Sequence, residues 1–390
     1  MPTTSRRRGI DERASYLAPE LLPFFDDAFV RSCDLFEEYV GRLTGDVFAR
    51  SGLSQACREP VTVAEAIERA GLDPRAATVP VDWMFRMLAS RGRLAEAGEG
   101  RYRVVRDDAE DAATILAAQE AHDPRPLPSF AIAALAAERY PAVLRGETTG
   151  ERALFTAEHM STWAAYFSNA NVIYSISNKL AAVAGEAVLP SSAASILEIG
   201  GGLGSGAAAL CGRLVASGRD VSRIAYRFTE VSIPFLRRGR ALLEDAFPGV
   251  ALSFARLDMN APFGDAGVER GSADLVLAVN ALHVAKDLSF TLGEIREALA
   301  PTGSLVAGEC LRPFPRQAVY VEFVFNLLES FRDPVLNADW RPNGGFLTPE
   351  QWTEALTRHG FRDVRFVPDV ASIRDDYPSF VIAAIVARRA

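Results

Sequence analysis

Residues 195–206, SILEIGGGLGSG, decide the fold of this chain. The apolar positions of SILEI (195–199) predict a short buried strand. Five glycines follow within residues 200–206, and AAALCGRLV (207–215) then predicts a helix. A turn without Cβ atoms lets the backbone touch a ligand or adopt positive φ. The stretch therefore predicts the strand, glycine turn and helix N-terminus that bind a ligand in a doubly wound α/β sheet.

The glycine turn by itself leaves its ligand open. Residues 202–207 fit the G-x-G-x-x-A pattern of dinucleotide-binding proteins. Glu198 favours a different ligand, because a carboxylate at the strand end repels a pyrophosphate and suits a cationic amino acid. A third interpretation is a turn that only packs the helix against the strand. The residues at the ends of the later strands have to distinguish these three interpretations of the turn.

Composition limits the class of protein. The chain has 390 residues, 49% hydrophobic and 24% charged, with a formal net charge of -8. These values predict a globular protein of two domains, or one domain with a large extension. The acidic balance argues against nucleic-acid or membrane partners, and no apolar run is long enough to span a bilayer. The N-terminus lacks a signal-peptide core, and the scattered cysteines indicate neither disulfides nor zinc, so we expect a cytoplasmic protein.

The chain divides into four predicted parts. These are a disordered basic tail (1–14), a helical, winged-helix-like N-terminal domain (15–110), a helical linker and lid (111–190) and an α/β domain (191–390). The N-terminal domain could bind DNA or form a dimer. Acids interleave its arginines, which argues against DNA. A homodimer is expected instead, because the arm carries more apolar side chains than it can bury alone, namely Leu21, Leu22, Phe24, Phe25, Phe29 and Leu35.

Strands and helices alternate after the glycine turn. Strands are predicted near 224–230, 251–257, 274–280 and 303–309, and helices near 233–246, 288–300 and 349–359. Two late strands, near 363–368 and 379–388, have no helix between them. This order predicts a parallel sheet covered on both faces, with an antiparallel edge.

Polar residues stand at four successive strand ends, where open α/β sheets bind their ligands. Glu198 ends the first strand, and Glu230 ends the second, where a carboxylate can accept hydrogen bonds from both ribose hydroxyls. Asp258 ends the third and can meet an exocyclic amine such as that of adenine. The fourth strand runs into NALH (280–283). An NAD protein shares the acid at the second strand end, but the acid at the third and the NALH exit are not expected of one.

The ordered runs LEIGGGLGSG, YRFTEVS, LDMN, DLVLAVNALHVAKDL and GSLVAGE resemble class I S-adenosylmethionine-dependent methyltransferases. They are similar above all to the C-methyltransferase domains of polyketide synthases. The later runs FVFNLLESF, LTPEQWTEAL and HGF resemble those domains too. Residues 15–105, in contrast, look like the N-terminal arm of free-standing small-molecule O-methyltransferases.

The resemblance implies a fold, a cofactor and a set of binding residues. The fold is Rossmann-like, with a mostly parallel seven-stranded sheet and an antiparallel last strand. The cofactor is S-adenosyl-L-methionine, and no metal is implied. Its methionine part would lie on Gly200, Gly202 and Gly204 near Glu198, with the ribose on Glu230 and the adenine edge on Asp258. The remaining residues of the predicted cofactor site are Met259, Asn280 and Tyr174.

The resemblance also implies the base. A histidine in a similar run of the polyketide C-methyltransferases is paired with a glutamate ending the fifth strand, and His283 and Glu309 match that pair. A carboxylate orients an imidazole and raises its basicity. We expect C-methylation of an activated carbon next to a carbonyl, on a small polyketide-like acceptor that is free or bound to a carrier protein.

Other functions stay open at this point. The same His283 could deprotonate a phenol or an enol in an O-methyltransferase. S-adenosylmethionine could itself be the substrate of a reaction other than methyl transfer. An NAD-dependent oxidoreductase and a winged-helix regulator that keeps only the fold are candidates from other classes.

Several residues outside these motifs are weaker candidates. Tyr166, Tyr174 and Asn178 could cap the cofactor from the helices before the sheet, with Tyr174 the first choice. His159 is expected at the surface or in packing, and His122 and His359 are expected in solvent. The aromatic residues Tyr320, Phe323, Phe325 and Phe331 could line an acceptor pocket or belong to the core.

Overall fold

The computed structural model describes residues 13–108 and 110–390. A seven-stranded sheet has the order β5-β4-β3-β6-β7-β9-β8. Its strands are β3 (Ala194–Ile199), β4 (Ile224–Thr229), β5 (Ala251–Ala255), β6 (Ala273–Val279), β7 (Leu299–Cys310), β8 (Phe361–Val367) and β9 (Ile382–Arg389). The pairs from β5 to β7 are parallel, and β9 runs antiparallel between β7 and β8. The predicted fold class is confirmed, including the antiparallel last strand.

Except for one short helix between β8 and β9, where the sequence predicts none, the helices of the α/β part lie where the apolar periodicity predicts them. They are α9 (Val172–Val188), α10 (Ser205–Ala216), α11 (Ile233–Ala246), α12 (Leu288–Ala298), α15 (Pro349–Arg358) and the short α16 (Val370–Ile373). One core lies between α9, α10 and the sheet, and a second lies between the sheet and α12 and α15. The sheet is thus covered on both faces, as a mostly parallel sheet requires.

The N-terminal region is helical with one small hairpin. Its helices are α1 (Asp27–Arg50), α2 (Leu53–Ala56), α3 (Val63–Arg69), α4 (Pro74–Ser90), α5 (Ala112–His122), α6 (Leu127–Leu144), α7 (Gly150–Leu154) and α8 (Met160–Tyr166). Strands β1 (Leu94–Glu96) and β2 (Tyr102–Val104) form the predicted wing. Helix α3 begins with a capping box of Thr62 and Glu65. The four-part division of the chain stays a prediction, and residues 1–12 of the predicted tail lie outside the described residues.

The segment before α1 packs against the α/β part of the same chain. Leu21 and Phe25 are 1% and 3% exposed and join the core that contains Ile176 and Leu180 of α9. The Phe25 and Phe380 rings have centroids 5.4 Å apart. Much of the apolar surface on which the dimer expectation rested is therefore covered within one chain, and the homodimer stays a prediction.

The N-terminal helices also hold the segment that follows β7. This segment includes α13 (Glu322–Phe325) and α14 (Glu329–Arg332). The indole of Trp83 on α4 donates a hydrogen bond to the Val319 carbonyl at 3.2 Å. The Tyr140 hydroxyl on α6 donates to the Phe323 carbonyl at 2.5 Å. The segment after β7 is thereby fixed over the carboxyl edge of the sheet.

No helix among the described residues is long and apolar enough to cross a membrane. The same residues contain no group of three or more His, Cys, Asp or Glu side chains placed to hold a metal ion. All four cysteines fall within the described ranges and are free thiols.

Candidate active site

A cavity of about 1310 Å³ opens at the carboxyl edge of the sheet. It lies beside β3 and β6, where the strand order reverses and where such folds bind ligands. Most of the predicted site residues line it: Tyr174, Glu198, Gly200, Gly202, Glu230, Asp258, Met259, Asn280 and His283. The two exceptions, Gly204 and Glu309, act from behind this wall. Gly204 forms the N-cap of α10, with φ +90°.

The glycine turn has the bare backbone that the sequence predicts. Gly200 and Gly202 adopt φ of +65° and +58°, a region that residues with a Cβ rarely occupy. A Cβ on Gly202 would meet no atom within 4 Å, so the space beside it is open to a ligand. Gly201 is required for a different reason, because a Cβ there would lie 2.2 Å from the Phe228 ring.

Glu230 connects the second strand end to the glycine turn. Its carboxylate is buried, and one oxygen accepts a hydrogen bond from the Gly202 amide at 2.9 Å. The other accepts from the Ser232 amide at 2.8 Å. Each carboxylate oxygen has a second lone pair, so both can still accept from vicinal hydroxyls of a ligand.

Glu198 is buried beneath the turn, at 1% exposure. Burial and, to a lesser extent, the nearby Glu230 carboxylate raise its pKa to about 8, against hydrogen bonds from the Tyr226 hydroxyl and the Ala207 amide. The Tyr226 hydroxyl donates to Oε2 at 3.0 Å. The site thus holds a carboxyl group that a cationic ligand would ionise.

Tyr174, on α9, bridges the start of α10 and the end of β6. Its hydroxyl is hydrogen-bonded to the side chains of Ser205 and Asn280, and burial raises its pKa to about 12. Asn280 adopts φ +50°, which asparagine tolerates better than most residues. The Asn280 amide donates to the Gly308 carbonyl at 2.7 Å, which fixes the exit from β6. Tyr174 and Asn280 therefore meet at the wall of the cavity.

Asp258 and Met259 form the part of the wall next to β5. Asp258 is exposed, and its Oδ1 accepts from the Asn260 amide at 2.9 Å. Its other oxygen has no such bond and can accept from an amine. Met259 is half-buried, and its methyl carbon would lie 3.9 Å from a Cβ on Gly200, so the thioether covers the glycine turn.

His283 and Glu309 form a buried pair. The His283 ring nitrogen Nδ1 is 2.6 Å from Oε2 of Glu309, and Oε1 accepts from the Leu282 amide at 2.8 Å. The two residues are 5% and 0% exposed. A carboxylate can only accept, so Nδ1 carries the proton and Nε2 is left as the basic nitrogen. The geometry is that of an oriented general base.

Two further residues support His283, and sequence reasoning missed both. The guanidinium of Arg341 donates to the His283 carbonyl at 2.6 Å and to the Ala285 carbonyl at 3.2 Å. Burial lowers the pKa of Arg341 to about 10, which still leaves it protonated at neutral pH. The Phe346 ring packs edge-on against the imidazole, with centroids 4.9 Å apart. Both residues come from a loop far along the chain, and no local motif marks them.

The four aromatic residues that were expected in an acceptor pocket or in the core divide between the two. Tyr320 and Phe325 line the cavity, whereas Phe323 and Phe331 are at most 1% exposed and do not line it. The Phe331 ring still contacts the imidazole of His283, with centroids 5.8 Å apart.

Three histidines lie away from the pair. His159 is half-buried outside the cavity wall, as expected. The expectation of solvated His122 and His359 is wrong. His122 ends α5, lies 3.1 Å from the Ala28 carbonyl and lines the far end of the cavity. His359 packs against Trp340, and its side chain hydrogen-bonds to the Ala355 carbonyl one turn earlier in α15, at 2.6 Å.

The cavity residues fit S-adenosylmethionine. The open space beside Gly202 admits the methionine chain, the free lone pairs of Glu230 suit a ribose, and Asp258 suits the adenine amine. Buried Glu198 suits the ammonium group. A dinucleotide fits worse, since its pyrophosphate would face Glu198 and Glu230 across the turn.

Comparisons with known proteins point to the same class. A family model described as a methyltransferase domain matches residues 197–305. The methyltransferase CalH of Penicillium decumbens is 31% identical over 196 residues, which are 50% of this chain and 50% of that protein. The highly reducing polyketide synthase FrbB of Dothideomycetidae sp. is 33% identical over 170 residues, 43% of this chain and 6% of that protein. The chain thus spans about half of the length of CalH and only a small part of the length of the polyketide synthase.

Solved structures share the fold over nearly the whole chain. The CurJ carbon methyltransferase has a TM-score of 0.79 at 23% identity, covering 98% of this chain and 99% of that one. The DszA carbon methyltransferase has a TM-score of 0.70 at 22% identity, covering 96% of each chain. The likeness of fold therefore includes the N-terminal region, which by sequence looks like the arm of O-methyltransferases. A methyltransferase-domain model thus matches residues 197–305, and the fold is that of the two carbon methyltransferase structures.

Proposed function

We propose that this chain, an S-adenosylmethionine-dependent methyltransferase related to polyketide synthase domains, methylates the carbon next to a carbonyl of a small polyketide-like acceptor. The observation that carries the proposal is the buried pair of His283 and Glu309, whose imidazole lines the cavity that also contains the glycine turn. A carbon acid needs a positioned base, and this pair is one.

The proposed cofactor site uses residues from four strand ends. Glu230 binds the ribose hydroxyls, Asp258 the adenine edge, and Glu198 lies near the ammonium group. Gly200, Gly202 and Gly204 give the methionine chain its bare backbone, and Tyr174, Asn280 and Met259 complete the wall around it. When bound, S-adenosylmethionine supplies an electrophilic methyl group on a sulfonium.

The acceptor loses its proton to the protein. Nε2 of His283 takes a proton from the carbon between two carbonyl groups, and Glu309 stabilises the imidazolium that forms. The second oxygen of Glu309 is held by the Leu282 amide, so the carboxylate cannot turn away from Nδ1. The rings of Phe331 and Phe346 keep the imidazole in one orientation.

The acceptor class follows from the relatives and from the shape of the cavity. The cavity of about 1310 Å³ exceeds the range of about 300–1,000 Å³ that small-molecule sites span, so it has room for an acyl chain beside the cofactor. The relatives above 30% identity include polyketide synthases, whose growing chains are thioesters. We propose a β-ketoacyl thioester, presented on a carrier protein or as a free small molecule.

The second candidate is O-methylation of a phenol or an enol. A general base formed by His283 and Glu309 could deprotonate an oxygen acid as well as a carbon acid, so this pair alone does not distinguish the two. The position of the new methyl group does, as a C-methyl or a methyl ether in the product.

A proton-exchange experiment tests the proposal without methyl transfer. The protein, loaded with S-adenosylhomocysteine, is mixed with a β-ketoacyl thioester in D₂O, and early deuterium uptake at the α-carbon is followed by mass spectrometry. We expect exchange above the buffer rate, lost in His283→Ala and reduced in Glu309→Gln. His359→Ala is the matched control and should exchange like the unmodified protein. Exchange at the buffer rate, together with methyl ether products, would establish the O-methyltransferase instead.

A further inference from the structure

An unpaired hydroxyl lies in the wall of the cavity, on the segment that follows β7. Tyr320 is 7% exposed and lines the cavity. No hydrogen bond joins its hydroxyl to any residue that the structure describes. The side-chain atoms that are both unpaired and sealed from solvent lie elsewhere in the described chain, so a molecule in the cavity can reach this hydroxyl. A buried tyrosine hydroxyl normally has a partner, and this one therefore points to a ligand.

Packing fixes the ring that carries this hydroxyl. The Tyr320 ring meets the Phe36 ring of α1 edge to face, with centroids 5.8 Å apart. The carbonyl of the preceding residue, Val319, accepts from the indole of Trp83. The Val319 amide donates to the buried carboxylate of Glu322 at 3.0 Å. Because ring and backbone are both held, the hydroxyl can bind a ligand with little further loss of conformational freedom.

The hydroxyl lies between the base and the far wall of the cavity. Cys310 directly follows Glu309, the partner of the base, and is close enough to act electrostatically on Tyr320. Cys33 of α1 acts on Tyr320 as well and lines the cavity. An acceptor whose reacting carbon lies at His283, and whose acyl chain extends along the cavity toward α1, passes this hydroxyl.

The surroundings of the hydroxyl favour a neutral oxygen as its partner. Burial raises the pKa of Tyr320 well above its ordinary value, so the phenol stays protonated and donates. The carboxyl groups of Glu37 and Asp34 also act on it, and negative charge nearby disfavours a carboxylate or a phosphate as the ligand. The Ser379 hydroxyl, at the same wall, is already hydrogen-bonded to Glu37. A hydroxyl or carbonyl oxygen of an acyl chain is neutral and accepts.

We propose that Tyr320 donates a hydrogen bond to an oxygen on the acyl chain of the acceptor, beyond the β-carbonyl, and so determines specificity. The rings that contact the imidazole of His283 are those of Phe331 and Phe346, so the partner of Tyr320 lies away from the reacting carbon. This inference rests on the proposed function, which makes the acceptor a β-ketoacyl thioester. A site that hydrogen-bonds a substrate oxygen rejects the analogue that lacks it, because its own donor is then left unpaired.

A series of acceptors tests the assignment. β-Ketoacyl N-acetylcysteamine thioesters of one chain length carry a hydroxyl at the δ-carbon, at the ζ-carbon or at neither, and steady-state methylation of each is measured. We expect the unmodified protein to prefer one of the hydroxylated thioesters. Tyr320→Phe, which removes only the hydroxyl, should cut that preference about three- to tenfold through the KM of this thioester, the usual loss for one neutral hydrogen bond. Calorimetry on the protein loaded with S-adenosylhomocysteine should show the same loss of affinity.

Tyr39→Phe is the matched control, because Tyr39 is buried on α1 and does not line the cavity. It should keep the preference. The Tm of Tyr320→Phe should not fall, since the hydroxyl has no partner within the described chain, and a lower Tm would contradict the inference by showing a structural role.

Two kinetic results overturn the inference and leave the proposed function standing. One is methylation of the thioesters with no preference for a hydroxyl, or with a preference that survives in Tyr320→Phe. The other is an equal loss of kcat with every thioester in Tyr320→Phe, which would place the hydroxyl at the reacting carbon. If the unmodified protein methylates none of the thioesters, the proposed function itself is wrong and the inference falls with it.

Discussion

The two ends of the cavity are built in different ways. At the proposed cofactor end, Glu198, the glycine turn and Glu230 all lie within 35 residues of chain, on two paired strands and their exits. At the acceptor end, His283 is surrounded by Glu309, Phe331, Arg341 and Phe346, and the more distant wall includes residues of α1 and of the segment 377–382.

This difference separates the binding residues that any protein of this topology can share from those that are particular to this chain. A nucleoside with an amino-acid tail is recognised by backbone amides and by carboxylates at strand ends, which the sheet brings together in any protein of this topology. The acceptor meets side chains from distant segments that only packing joins. We therefore expect substitutions at one end to leave the other end's ligand unaffected.

The largest expected effect is at the base. His283→Ala should reduce turnover of the β-ketoacyl thioester by about 10²- to 10⁴-fold, since it removes the positioned general base. Glu309→Gln should cost less, and the double variant little more than His283→Ala, because the pair acts as one unit. Steady-state rates measure this, with S-adenosylhomocysteine affinity as the control that should not change. Losses that multiply in the double variant would contradict a single unit.

The next effect belongs to the cofactor end. Glu230→Ala should weaken S-adenosylhomocysteine by about 1.5–3 kcal/mol, the scale of lost charge-assisted hydrogen bonds. Calorimetry measures it. Glu244→Ala is the control, since that carboxylate pairs with Arg240 on the exposed side of α11. An unchanged affinity in Glu230→Ala would remove the residue from the ribose site.

The cofactor end should also respond to pH. Because burial raises the pKa of Glu198 to about 8, this group stabilises the free protein below its unfolded pKa near 4.5, and that contribution is lost as the pH rises toward 8. A cationic ligand favours the ionised form, so binding below pH 8 should release a proton and weaken by up to about tenfold per pH unit of acidification. Calorimetry in buffers of different ionisation enthalpy counts that proton. Glu198→Gln should abolish its release, and a release that persists in this variant would assign the proton to another group.

The smallest effect is expected at the aromatic wall. Phe325 lines the cavity and Phe323, two residues earlier, is buried in the core. Phe325→Leu should raise the KM for the acceptor roughly threefold to tenfold, as lost apolar contact predicts, and leave S-adenosylhomocysteine affinity intact. Phe323→Leu is the matched variant and should lower the Tm with the KM unchanged. The opposite pattern would exchange the roles of the two rings.

The local patterns predicted the frame of the molecule. The alternation of short apolar runs with segments of helical periodicity predicted the succession of strands and helices along the chain. The glycine turn predicted that a ligand binds at the edge of the sheet between β3 and α10. Glu198, Glu230, Asp258 and Asn280 could be found because a parallel sheet places successive strand ends side by side, whatever the details of packing. The capping box of Thr62 and Glu65 is also a local pattern, since its hydrogen bonds join residues only three positions apart.

Tertiary structure alone decided which side chains surround the reacting groups. Arg341 and Phe346 reach His283 across a loop some 60 residues away, and nothing in their local sequence marks them. The segment before α1 covers α9 although its composition suggested a dimer surface. The physical reason is that periodicity and turn chemistry act between neighbours in sequence. Burial, an unpaired oxygen at a cavity wall and the orientation of a base depend on contacts that form only when distant segments pack together.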